Sequence, residues 1–153
     1  MRKIYFCGSI RGGTEDRQLY GRIIELLRAY GQVLTEHVAK TEKEMDAHFT
    51  DGDLKTLSGL ERDQAIFRQD VGWLQSADVL VAEVTLPSLG VGFELGMAYQ
   101  LKKPILCLYR AGDAQKSLSA MVRGFHDGKQ NVVIDYSENQ LQDIFKKFFH
   151  DLN

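Results

Sequence analysis

An α/β fold is predicted for this chain: a Rossmann-like or flavodoxin-like three-layer sandwich around a parallel sheet of about five strands. Two observations predict it. Short apolar runs alternate with amphipathic stretches along the whole sequence, the order that builds strand–helix–strand units. The clearest run, Asp78-Val79-Leu80-Val81-Ala82-Glu83-Val84, is apolar through its middle, as a central parallel strand covered on both faces should be. A length of 153 residues suits one domain, 1–153, large enough to bury a real core.

The first strand is expected at about Lys3 to Cys7. Gly8-Ser9-Ile10-Arg11-Gly12-Gly13 forms a turn, Thr14 suits an N-cap, and Glu15 and Asp16 fall in the first helical turn. Leu19, Ile23, Ile24, Leu26, Leu27 and Tyr30 follow at helical spacing, with Gly31 as the stop. A short strand is predicted from Val33 to Thr35. The polar segment Lys40–Gly59 lacks clear periodicity and reads as a loop or lid. A second helix, about Leu60 to Gln75, turns Ile66, Val71 and Leu74 inward. After the Asp78–Val84 strand, Pro87-Ser88-Leu89-Gly90-Val91-Gly92 leads to a third helix from about Phe93 to Lys102 or Lys103. Strands at Pro104–Tyr109 and Asn131–Asp135 and a helix over Glu138–Leu152 complete the chain. In such sheets ligands sit beyond the carboxyl ends of the strands. The loops Gly8–Gly13, Leu86–Gly92 and Arg110–Ser119 fall at that edge.

Composition excludes several classes. Hydrophobic residues make up 44% and charged residues 26%, an ordinary soluble balance. The net charge is −2, with both signs interspersed, so no basic stripe offers itself to polymeric nucleic acid. The apolar run at the N-terminus is too short for a signal peptide, and no stretch approaches the roughly 20 apolar residues of a membrane span. Cys7 and Cys107 lie in strand-like runs without CxxC spacing. They read as buried thiols in a reducing, intracellular compartment, with no metal or redox cofactor implied.

Three segments carry candidate chemistry. The loop Gly8–Gly13 combines glycines with the donors Ser9 and Arg11 ahead of a helix start, which suits an anion. It lacks the Gly-Lys-Ser/Thr of a Walker loop and the glycine spacing of a dinucleotide fingerprint, and a tight β–α turn explains it as well. The segment Leu86–Gly96 places Glu94 in the first turn of the third helix, where a carboxylate is stabilised as the anion, as a nucleophile requires. A first-turn glutamate that only complements the dipole is the competing reading. Asp70 stands three or four residues from Ile66, Phe67, Trp73 and Leu74, beside an apolar face that would raise its pKa and make it an acid. On these residues alone, plain surface solvation is the simpler account of Asp70. Tyr5 in the first strand is near the same edge and in reach of a role beside Glu94. His37, after the second strand, is placed to touch a base. His48, His126 and His150 have no ligand-like spacing, and Trp73 reads as helix core.

Taken together and in order, Tyr5–Gly13, Leu34–Val38, Ala77–Val84, Pro87–Gly96 and Leu118–Gly124 closely resemble the nucleoside 2-deoxyribosyltransferase family, in particular its branch of 2′-deoxynucleoside 5′-phosphate N-hydrolases. The resemblance runs over nearly the whole chain except Lys40–Gly59. It implies a Rossmann-like fold and attack of Glu94 on the anomeric carbon to give a covalent deoxyribosyl-enzyme. It also implies Asp70 protonating or orienting the leaving base, and Tyr5 hydrogen-bonded to the nucleophile or the sugar. The phosphate site maps onto Ser9, Arg11, Ser88 and the backbone of Gly90, and Gly8, Ile10 and Gly12 belong to the implied substrate-binding residues. A homodimer partner is implied to contribute Ser119, with Met121 nearby. The implied substrates are deoxynucleoside monophosphates, including 5-hydroxymethyl-dUMP, with no cofactor. The implied setting is nucleotide salvage and sanitation in the cytoplasm, with the nucleus as a further compartment. One departure stands out: Phe93 precedes the nucleophile where close relatives carry tyrosine.

The chemistry is coherent. An oxocarbenium-like transition state forms more easily without a 2′-hydroxyl, and carboxylate attack followed by water divides one hard displacement into two. Three rivals remain at this level: a transferase passing deoxyribose to a second base, a non-catalytic nucleotide sensor on the same fold, and a flavodoxin-like electron carrier, for which aromatic flavin walls are wanting. The two serines on the phosphate favour the hydrolase over the transferase.

Overall fold

The computed structural model describes residues 1–10, 14–39, 56–110, 112 and 118–152. Strand β1, Lys3–Gly8, has every residue after Lys3 buried, so both of its faces must be covered. Its alternation sorts side chains between two layers: Ile4 and Phe6 join one core cluster, Tyr5 and Cys7 the other. Helix α1, Thr14–Leu27, covers the first face with Leu19, Ile23, Ile24 and Leu27, while Leu26 and Tyr30 pack at its margin. Thr14 is the first residue of the helix.

Strand β2 is only Gln32–Val33, shorter than Val33–Thr35 and shifted toward the N-terminus. The reason is Thr35. Its hydroxyl donates to the Phe6 carbonyl at 2.6 Å, and its oxygen accepts from the Phe6 N–H at 2.8 Å. A side chain thus replaces the next ladder pair, and the backbone is released into a 3₁₀ turn at Glu36–Ala39. Gly31 does not stop α1, which ends at Leu27. A Cβ there would lie 2.3 Å from the Arg2 carbonyl oxygen, so glycine admits the close approach that starts the β1–β2 pairing.

Helix α2, Gly59–Ser76, leads to β3, Val79–Glu83, buried at all five positions. Helix α3, Leu89–Gln100, begins a full turn before the expected Phe93, because Ser88 caps it and Gly90, Val91 and Gly92 are already helical. Strand β4 is Ile105–Arg110 and β5 is Asn131–Tyr136. Between them is a short helix, α4, Ala120–Gly124, which the sequence pattern did not announce. The closing segment starts as a 3₁₀ turn, Glu138–Gln140, and continues as α5, Leu141–Asp151.

The five strands are parallel in the order β2-β1-β3-β4-β5, the doubly wound arrangement with its crevice where β1 meets β3. Helices α1 and α5 cover one face and α2 and α3 the other. Cys7 and Cys107 are buried free thiols on the α2/α3 side. Among the described residues, no helix is long and apolar enough to cross a membrane.

Candidate active site

Three elements aim one functional group each at the space beside the crevice. Tyr5 comes from β1, Asp70 from α2 and Glu94 from α3. The Tyr5 hydroxyl donates to Glu94 Oε1 at 2.6 Å, the length of a charge-assisted O–H···O⁻ bond. All three line one cavity of about 240 Å³ with the apolar side chains of Ile66, Phe67, Val71 and Met97, and with Gly90. Ile66 and Val71 are only half-buried, because the inward face of α2 borders this hollow, whereas Leu74 is fully in the core.

Burial dominates the electrostatics. It pushes the Asp70 carboxyl from its ordinary 3.8 up to about 7, with the neighbouring Glu94 charge adding to the effect. Burial also raises Glu94, while hydrogen bonds from Tyr5 and Cys7 pull it back. The Tyr5 hydroxyl is held well above its usual range by burial, then by the charges of Glu94 and Asp70. Asp70 Oδ1 is buried without a hydrogen-bond partner among the described residues. A buried polar atom left without a partner is costly. A carboxyl whose anion is favoured by two donors, beside a second carboxyl that burial raises to about 7, is the arrangement of a nucleophile and acid pair.

Glu94 is the sixth residue of α3, one turn beyond the first-turn position expected. The helix dipole falls off within the first turn, so hydrogen bonds from Tyr5 and Cys7, rather than the dipole, are what favour the charged form against burial. Cys7, read in the sequence only as a buried thiol, was missed as a donor. Its signal was the i, i+2 alternation that puts it on the same face as Tyr5.

The remaining expected residues fall into groups. Ser88 caps α3, its oxygen accepting from the Val91 N–H at 3.3 Å, and Gly90 is in the same turn. Ser88 lines a second, larger hollow of about 1030 Å³ together with Ser119 and Met121. Ser119 caps α4 by accepting from the Met121 N–H, and Met121 is 84% exposed. Neither Ser119 nor Met121 lines the Glu94 cavity within this chain. Ser9 is buried and Ile10 exposed at the end of β1. Gly8 packs against the Tyr20 ring, which would stand 2.7 Å from an added Cβ. Arg11 and Gly12 lie outside the described residues, as does most of Lys40–Gly59. The buried His37 ring packs 5.2 Å from Trp73, three residues from Asp70. Trp73 is thus half-buried under His37 rather than wholly in the core. Phe93 is exposed and pairs with Phe67 at 6.0 Å. Among the described residues, no group of three or more His, Cys, Asp or Glu side chains is placed to hold a metal ion.

Comparison with known proteins finds relatives over nearly the whole chain. A rat protein named 5-hydroxymethyl-dUMP N-hydrolase is 52% identical over 146 residues, covering 95% of this chain and 83% of its own length. The human protein of the same name is 49% identical over 146 residues, covering 95% of this chain and 78% of its own. Among solved structures, a CMP N-glycosidase from Clostridium botulinum superposes with a TM-score of 0.61 at 19% identity, covering 95% of this chain and 99% of that one. Its likeness bears on the fold. Residues 4–140 match the family model described as nucleoside 2-deoxyribosyltransferase, and the chain belongs to that family.

Proposed function

We propose that this protein hydrolyses the N-glycosidic bond of 2′-deoxynucleoside 5′-monophosphates, 5-hydroxymethyl-dUMP among them, to the free base and 2-deoxyribose 5-phosphate. The observation that carries the reading is the cluster of Tyr5, Asp70 and Glu94 around one cavity; the names of the rat and human relatives supply the substrate class. Glu94 attacks C1′ as the bond to the base breaks, the electron pair leaves with the base, and Asp70 gives the base its proton. Water then adds to C1′, Asp70 takes the water's proton, and the Glu94 carboxylate departs with its electron pair. Ser9, Arg11, Ser88 and the Gly90 backbone bind the phosphate, whose remote contacts position the sugar for attack.

The working unit in this reading is a homodimer. Leu89 at 98%, Phe93 at 54%, Tyr99 at 56% and Met121 at 84% exposure leave much apolar surface around α3 and α4, of the kind that marks an interface between chains. The partner's Ser119 and Met121 would then complete the site that neither reaches within one chain. The expected setting is the reducing cytoplasm, with the nucleus as a further compartment.

The test is chromatography of free base and deoxyribose 5-phosphate from a panel of deoxynucleoside monophosphates and the matching nucleosides, with and without an acceptor base. Release from monophosphates regardless of acceptor is expected. A new nucleoside formed only with acceptor would make the protein a transferase, and binding without turnover would make it a sensor. Glu94→Ala should abolish turnover without disturbing the fold, and substantial remaining activity would overturn the covalent step. For the dimer, mixing inactive Glu94→Ala with impaired Ser119→Ala chains should restore activity through hybrid dimers carrying one intact site.

A further inference from the structure

The α1/α5 face of the sheet, opposite Glu94, carries a charged cluster at the same carboxyl edge. Glu83 ends β3 and is fully buried. Its Oε1 accepts from the Thr85 hydroxyl at 2.5 Å and the Tyr136 hydroxyl at 3.2 Å, and its Oε2 from the Thr85 N–H at 3.3 Å. Arg110 ends β4. Its Nε stands 3.3 Å from Glu83 Oε1, one terminal nitrogen donates to Asp16 Oδ1 at 2.5 Å, and its backbone N–H donates to the Thr85 hydroxyl oxygen at 2.8 Å. Asp16 is buried in the first turn of α1. From the same helix, Tyr20 supports Gly8 with its ring and donates its hydroxyl to the Ser9 carbonyl at 3.3 Å.

We propose that Arg110 is a positioning residue for the substrate phosphate: braced on Glu83, it holds Asp16 and so fixes the start of α1 and the Gly8–Ser9 turn over the ends of β3 and β4. The proposal rests on the reading above that Ser9 binds the phosphate. Glu83 of β3 and Asp16 of α1 converge on the Arg110 guanidinium of β4, with Tyr136 of β5 bonded to Glu83. The Arg110 Nε is ion-paired with Glu83 without a hydrogen bond, so the link to Asp16 is the directional one through which this buried network ties α1 to the sheet. Burial works against the charge of Arg110, and Glu83, then Asp16, more than restore it. Without that cation, two acids would remain beside the helix start that faces a dianion. The brace is remote from Glu94, so it acts on where the phosphate sits rather than on bond breaking. Residues 16, 83 and 110 are too far apart in sequence for any spacing rule to have joined them.

The test compares the whole protein with Arg110→Gln, Asp16→Asn, Arg110→Lys and the double variant Arg110→Gln/Asp16→Asn. It measures kcat and KM for one deoxynucleoside monophosphate and for its unphosphorylated nucleoside. Calorimetric affinity for 2-deoxyribose 5-phosphate and melting temperature are measured alongside. Arg110→Gln and Asp16→Asn should each raise KM for the monophosphate about tenfold, with kcat within about threefold and nucleoside KM unmoved, as expected when binding alone is lost. The double variant should be no worse than Arg110→Gln, because both break one link, and Arg110→Lys should recover part of the loss. Equal KM increases for nucleoside and monophosphate, a kcat loss at constant KM, or additive effects would overturn the proposal. If the wild type hydrolysed no monophosphate, the hydrolase reading would fail by itself. Affinity for 2-deoxyribose 5-phosphate would then decide: tenfold weakening in Arg110→Gln supports the brace, whereas unchanged or absent binding overturns it.

Discussion

The Tyr5 hydroxyl donates to Glu94 Oε1 at 2.6 Å, tying β1 at the sheet crevice to the second turn of α3. Burial raises the Glu94 carboxyl, and Tyr5 is the first of two donors that oppose this. Tyr5→Phe removes a hydrogen bond to a charged group, worth about 1.5–3 kcal/mol, and therefore moves Glu94 further up. A nucleophile must be ionised, so the acid limb of the pH–kcat profile should shift upward by about one pH unit or more. An unshifted limb in the variant would mean that Tyr5 does not set the charge of Glu94.

Asp70 gives the opposite limb. With its carboxyl raised to about 7, the proposed proton donor is lost as pH rises through neutrality, and kcat should fall there. Asp70→Asn should lower kcat by about 10²-fold or more and erase that alkaline limb. Stability should change in the other direction. The folded-state value is above the ordinary 3.8, so the fold favours the protonated form. The stability this group contributes is fully present below about pH 4 and is lost as pH rises through about 7. At pH 8 Asp70→Asn should therefore melt higher than the wild type, by up to about 4 kcal/mol, with the advantage gone near pH 4. Denaturant titrations at the two pH values measure both terms, and an equal gap at each would contradict a buried, raised Asp70.

Much of this was readable from the chain, and the failures have physical causes. Apolar runs such as Val79–Ala82 announced a parallel sheet because only strands covered on both faces can be so uniformly apolar. Tyr5, Asp70 and Glu94 were singled out from neighbours along the chain, but their meeting in one cavity depends on how α2 and α3 pack across β1, which no local pattern states. Local propensity misplaced the start of α3: Gly90 and Gly92 disfavour a helix, yet the Ser88 cap and the packing of Val91 and Leu95 override them. Thr35 misled for a related reason, since its β-branched shape suits a strand while its hydroxyl instead completes the edge of β1. The Arg110–Asp16–Glu83 brace left no periodic trace at all.

Ser88 caps α3 and is the proposed phosphate ligand, and one substitution cannot separate the two roles. Its oxygen caps α3, so Ser88→Ala should cost about 1 kcal/mol of stability as well as raising KM for the monophosphate more than for the nucleoside. Ser88→Asp separates the two. A carboxylate caps at least as well and favours the helix dipole, so thermal stability should hold, while its charge repels the phosphate and KM for the monophosphate should rise further still. Equal KM changes on nucleoside and monophosphate, read from steady-state kinetics of both variants, would remove Ser88 from the phosphate site.

Glycines offer a contrast of sign. A Cβ at Gly8 would stand 2.7 Å from Tyr20 Cζ and 3.0–3.1 Å from two further ring carbons. Tyr20 is fully buried and packs edge-on to Phe6 at 5.7 Å, so the ring has little room to yield, and Gly8→Ala should destabilise by about 1–3 kcal/mol. Moving that ring also disturbs its hydrogen bond to the Ser9 carbonyl, so KM for the monophosphate should rise with the loss of stability. Gly72, in the interior of α2, has nothing within 4 Å of an added Cβ, and Gly72→Ala should instead stabilise by about 0.5–1 kcal/mol through helix propensity. Chemical denaturation of the two variants measures both signs. A neutral Gly8→Ala would show that Tyr20 can give way, and that the turn carrying Ser9 is not held by that ring.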